Sequence, residues 1–129
     1  MISIIVVVAI LINHFIADFV LQSDWMAKNK SCNDNALALH VFIYTLALMP
    51  LYFVFRYTDD NISLNILFLG FLIANFYLHV VTDYVTSRLN TYLWKKGQVH
   101  YFFVSVGFDQ LLHYSALFST YWFFIRIIQ

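Results

Sequence analysis

Polar side chains are sparse along this chain, and where they gather they separate four apolar runs, at about residues 1–22, 36–56, 63–88 and 101–128. Each run is continuous rather than alternating, which excludes the period of two expected of barrel strands. Roughly 20 helical residues, rising about 1.5 Å each, cross a hydrocarbon core of about 30 Å. The pattern therefore predicts an all-α integral membrane four-helix bundle, a single transmembrane domain over residues 1–129. The first run reads as a retained helix rather than a secretion signal, because it lacks a positive leading segment and a small-residue cleavage site.

The connections are short and polar: "SDWMAKNKSCNDN", "YTDDNI" and "NTYLWKKGQVH". Lys28 and Lys30 lie in the first and Arg88, Lys95 and Lys96 flank the third, against Arg56 and Arg126 on the other side. By the positive-inside rule, connections one and three face the cytoplasm and both termini lie outside. A cell's inner, cytoplasmic membrane is the expected location. Trp25 and Trp94 fit the cytoplasmic headgroup level, and Tyr52, Tyr57 and Trp122 the opposite one. Pro50 has no N–H for the carbonyl of Leu46, so a kink is expected in the second helix.

Composition agrees with the pattern. The chain is 62% hydrophobic and only 11% charged, too little polar covering for a soluble domain of this size. A net charge of zero without a basic stripe argues against nucleic acid as a partner and leaves membrane lipid as the expected one. Cys32 is the only cysteine, which excludes an internal disulfide and a thiolate metal cluster.

Against this background the ionisable residues inside the runs stand out. The first run carries His14 and Asp18, the second His40, the third Asn75, His79 and Asp83, and the fourth Asp109 and His113. Spacing by four places the members of each set on one helix face, one turn apart. Counting from the cytoplasmic ends at about 1.5 Å per residue, all of them converge in one half of the bundle. Each ionised Asp at a helix centre costs about 2.5 to 3.5 kcal/mol on insertion scales, so the set needs compensation.

Two routes offer it: coordination of a divalent cation, or pairing of carboxylates with protonated imidazoles in a proton or ion relay. Structural polar glue between helices is a third reading. Charge counting favours a metal. Three carboxylates and neutral imidazoles around one ion leave about one negative charge, and around two ions about one positive charge. A nitrogen and oxygen set without sulfur suits zinc as the default, with manganese, iron or nickel as alternatives.

The expected ligands are His14, Asp18, His40, His79, Asp83, Asp109 and His113, with Asn75, Gln110 and Gln22 in the surrounding layer. Asp18, Asp83 and Asp109 are the candidate catalytic carboxylates; the sequence contains no glutamate to act as base. His100 reads as an interfacial residue, and Asp24, Asp34, Asp59 and Asp60 as solvated charges or helix caps. "HFIADFVLQSDW" and "HVVTDYVTSRLN" hint at a duplicated two-helix unit.

The strings "HFIADFVLQSDWMAKNK", "LHVFIYTL", "HVVTDYVTSRL" and "FDQLLHYSALF" resemble small bacterial and phage membrane proteins grouped as a family of unknown function, DUF 3307. The resemblance covers nearly the whole chain and takes in His14, Asp18, Gln22, His40, His79, Asp83, Asp109, Gln110 and His113. A more distant similarity to membrane-bound metal-dependent hydrolases implies a metal and hydrolysis. The leading expectation is a membrane-embedded metalloenzyme acting on a lipid or lipid-linked ester or phosphoester at the cytoplasmic leaflet. A proton or divalent-ion relay and a noncatalytic membrane interaction module are the alternatives.

Overall fold

The computed structural model describes residues 2–58 and 64–127, and among them every regular element is helical. Residues 59–63, which include the expected loop charges Asp59 and Asp60, lie outside the described residues. Helix α1 (Ile4–Phe15) runs into one π-helical turn, Ile16–Val20. It is followed by α2 (Asp24–Asn29), α3 (Asp34–Ala47), α4 (Leu51–Thr58), α5 (Leu64–Lys95) and α6 (Val99–Thr120), the last continued by a π-helical segment, Tyr121–Ile127.

Local chemistry sets most of these boundaries. Ser3, Ser23 and Asn33 have extended backbones and accept hydrogen bonds from the first N–H groups of α1, α2 and α3, as N-caps do. Helix α2 occupies the stretch read as an irregular connection, and buried Met26 anchors it beside α3. At Pro50, where a kink was expected, the helix is interrupted outright, α3 ending at Ala47 and α4 starting at Leu51. Leu48, Met49 and Pro50 form a turn in which the Leu46 carbonyl takes the N–H of Met49 at 3.1 Å. Helix α5 runs past the expected end near residue 88 to Lys95, and Gly97, at φ 68°, then lets the chain reverse within three residues into α6.

Helix α5 packs against both α3 and α6, α1 against α4 and α6, and the π-helical turn after α1 against α3. Two helices, Asp34–Thr58 and Asn65–Lys95, are long and apolar enough to cross a membrane, and Ile4–Val20 is a shorter apolar helix. Each long element turns one stripe inward at spacings of three or four. Val6, Ile10, His14 and Asp18 form it on the first; Phe68, Phe71, Asn75, His79 and Asp83 form it on α5. One end of the interior is an apolar, aromatic core that includes Phe55, Phe68, Phe71, Leu117, Tyr121 and Ile125. The other end is lined by imidazoles and carboxylates.

Candidate metal centre

Asp18 sits in the π-helical turn, where Leu21 N–H reaches the carbonyl of Ile16 and the wider turn carries both Ala17 and Asp18 into the interior. His40 comes from α3, His79 and Asp83 from successive turns of α5, and Asp109 and His113 from successive turns of α6. All six are buried, Asp109 the least so at 9% exposure.

His40 Nε2 is the hub. It lies 3.1 Å from His79 Nε2, 3.1 Å from Asp18 Oδ1 and 3.2 Å from Asp83 Oδ2. His79 Nε2 is in turn 3.5 Å from Asp18 Oδ1 and 3.6 Å from Asp83 Oδ2. One imidazole N–H cannot satisfy three such neighbours, one of them another ring nitrogen, and Asp83 Oδ2 also accepts from the Lys30 ammonium at 2.7 Å. The four ligand atoms lie within 4.8 Å of one another, and this buried group can hold a metal ion. A second group, Asp18, Asp109 and His113, meets the same condition and shares Asp18.

Hydrogen bonds fix the orientation of the remaining members. Gln110 Nε2 lies 3.1 Å from Asp18 Oδ2 and 3.0 Å from Asp109 Oδ2, both acceptors, which identifies it as the amide nitrogen. Gln110 Oε1 then faces His14 Nε2 at 2.9 Å and requires that nitrogen to donate. His14 Nδ1 meets the Tyr44 hydroxyl at 3.2 Å. His14, expected as a ligand, therefore falls outside both groups. Its ring nitrogens are engaged with Gln110 and Tyr44, and Nε2 also lies 3.8 Å from Asp18 Oδ2.

Of the other expected neighbours, Asn75 stands apart: its amide donates to the Phe71 carbonyl at 2.8 Å and to Thr120 Oγ1 at 2.7 Å. It ties α5 to α6 at the apolar end instead of supporting the cluster. Gln22 carries a buried Oε1 without a hydrogen-bond partner. His113 Nε2 is 3.0 Å from Asp83 Oδ1 and 3.4 Å from Asp109 Oδ1, and Thr86 Oγ1 donates to Asp109 Oδ1 at 2.6 Å. Nδ1 of His79 has no hydrogen-bond partner. That ring is held by packing, 3.8 Å from the Tyr44 ring centroid and 4.2 Å from that of His113.

Lys30 is the participant that sequence reasoning missed. It caps the C-terminus of α2, and its Nζ lies 2.7 Å from Asp83 Oδ2 and 3.5 Å from His40 Nε2. Its position beside "NKSC" marks it only as a loop cation; the helical turn of α2 is what directs it inward. Tyr44 and Thr86 were missed although they follow His40 by four and Asp83 by three residues, a spacing that places their hydroxyls on the same helix faces.

No curated protein and no solved structure matches the chain. A family described as "Protein of unknown function (DUF3307)" matches residues 6–128, a span that includes every residue of the cluster. The chain belongs to that DUF3307 family.

Proposed function

We propose that this protein is a membrane-embedded, divalent-metal-dependent hydrolase, acting on a lipid or lipid-linked ester or phosphoester, with His40, His79, Asp18 and Asp83 as its metal ligands. The observation that carries the reading is the geometry of their four inner atoms. Tetrahedral zinc with bonds of about 2.1 Å sets ligand-to-ligand edges of about 3.4 Å. Five of the six edges measure between 3.1 and 3.6 Å. Charge supports it as well: with neutral imidazoles, three carboxylates and the Lys30 ammonium leave two formal negative charges, which one divalent ion neutralises.

The membrane setting is supported by the two long apolar helices and by outward-facing rings and aliphatic chains such as Phe53, Ile66, Tyr77, Val81 and Phe103. Lys28, Lys30, Arg88, Lys95 and Lys96 lie in or next to the connections nearest the cluster, a distribution that supports a cytoplasmic orientation of that end under the positive-inside rule.

Held by four protein groups, a tetrahedral ion would have no open position, so the Lewis acidity it would supply to a water or substrate oxygen would require that oxygen to join as a fifth donor. The chain's own groups divide the remaining work. Asp109 stays outside the four-atom set, beside His113 and Thr86, and is the carboxylate left to accept a proton. Gln110 holds Asp18 and Asp109 in fixed register with its two amide hydrogens, and His14 and Tyr44 hold Gln110. Lys30 places a positive charge beside Asp83, where an anionic group would approach.

A proton relay is the second reading, favoured by the hydrogen-bonded chain from Lys30 through Asp83, His113, Asp109, Gln110 and His14 to Tyr44. Beyond Tyr44 the interior is closed by the apolar core, so this chain has no polar continuation among the described residues. Elemental analysis of the detergent-purified protein separates the readings: one tightly bound divalent ion per chain is expected, with Asp109→Asn retaining it. Folded protein without metal, together with proton flux in liposomes, would favour the relay.

A further inference from the structure

Beside the cluster, between α2, the last turns of α5 and the first turns of α6, the surface opens into a cleft of about 540 Å³. Its charge is one-sided. Lys28, Lys30 and Lys95 line it, and no carboxylate does. Lys30 connects it to the interior, because the same side chain lines the cleft and places its Nζ 2.7 Å from Asp83 Oδ2.

The floor offers polar groups that no protein partner uses. Ser87 is 8% exposed, lines the cleft, and has a buried Oγ with no hydrogen-bond partner. Asn90 Oδ1, on the next turn of α5, is likewise buried and unpartnered. Buried polar atoms normally find partners, so the Ser87 hydroxyl calls for a ligand acceptor and the Asn90 amide oxygen for a donor such as the P–OH of a singly ionised phosphate monoester. Along the α5 and α6 side, Trp94, Phe102 and Phe103 form an apolar border. Trp94 and Phe103 are exposed, as residues in contact with lipid chains would be.

We propose that this cleft binds the phosphate group of an anionic amphiphile, its headgroup held by Lys28, Lys95 and the Ser87 hydroxyl, and its chains lying along Trp94, Phe102 and Phe103. Lysine ammoniums are effective point-charge ligands for phosphate; Lys28 Nζ also lies 3.6 Å from the Asp24 carboxylate, an exposed and weak pairing that a phosphate would displace. As a statement about substrate, the proposal rests on the hydrolase reading: a phosphate in contact with Lys30 stands next to Asp83, and the scissile bond is then a phosphoester. As a statement about binding it stands on the cleft alone.

The test uses full-length protein reconstituted in phosphatidylcholine vesicles containing a minor fraction of phosphatidic acid. Lipid retained per chain after detergent extraction is measured together with metal content. Wild-type protein is expected to enrich phosphatidic acid over phosphatidylcholine. The double variant Lys28→Gln, Lys95→Gln is expected to lower that enrichment about tenfold, and Ser87→Ala to lower it less, with metal content unchanged in both. Inorganic phosphate is expected to displace the lipid only in large excess. Absence of enrichment, or enrichment indifferent to the lysines, overturns the proposal. Displacement by inorganic phosphate at concentrations equal to the lipid also overturns it, by assigning the cleft to free phosphate. Phosphatidic acid retained by a protein that binds no metal would sink the hydrolase reading and leave the cleft; bound metal without lipid selectivity would do the reverse.

Discussion

Along α1 and its π-helical turn, Val6 and Ile10 face the interior before His14 and Asp18; on α6, Asp109 and His113 face it before Leu117. The same stripes thus build two ends of one interior from different chemistry. At the apolar end, Phe55 meets Phe68, Phe71 and Tyr121 with ring centroids 4.8 to 5.8 Å apart, and shape is the main requirement. At the polar end the carboxylates and most ring nitrogens have named partners, His79 Nδ1 being without one, and loss of one member leaves another buried without its complement. The apolar end should therefore respond to changes of volume, and the polar end to changes of charge and hydrogen bonding at constant volume.

The largest effect is expected from Asp83→Asn, which keeps the shape and removes the carboxylate shared by His40, His79, His113 and Lys30. Metal affinity should fall well beyond the about 10- to 100-fold that an outer partner commands. Elemental analysis after dialysis against a chelator reads this directly. Phe55→Ala should cost about 3–5 kcal/mol of stability by loss of contacts and creation of a cavity, with metal stoichiometry preserved in the protein that folds. Thermal unfolding followed beside metal content checks both halves of that statement.

Gln110→Leu is the intermediate case. It frees Asp18, Asp109 and His14 from their shared clamp without touching the four-atom set, so metal affinity should fall about 10- to 100-fold. Competition with a chromophoric chelator measures it. The smallest effect is expected at Gly70, where an added Cβ would lie 2.7 Å from Phe124 Cε1. Gly70→Ala should destabilise by about 1–3 kcal/mol through overpacking, with metal affinity unchanged. Equal metal loss in Phe55→Ala and Gln110→Leu would dissolve the distinction between the two ends.

The four runs and their inward faces were legible because burial imposes a spacing of three or four on any helix, and His79, Asp83, Asp109 and His113 follow it. The ends of α5 and α6 were less so. "NTYLW" looks polar and aromatic enough for a connection, yet the first residue with the left-handed backbone that stops the helix is Gly97. Ser23 could have announced α2, since it caps a helix of only six residues within a stretch dominated by charges and amides. At the centre, spacing identified which residues face inward but not which atoms they present. Separating His14 from His40 required the Gln110 amide orientation, and the inward turn of Lys30 required the presence of α2.

X-ray absorption spectroscopy on the zinc-loaded protein tests the central claim most directly, because it reads the donors around the ion. The expected result is one four-coordinate ion with nitrogen and oxygen donors at about 2.0–2.1 Å, no sulfur, and an imidazole signal that falls in a His79→Ala variant. A spectrum unchanged by that variant, or a folded protein that takes up no stoichiometric zinc, would contradict it.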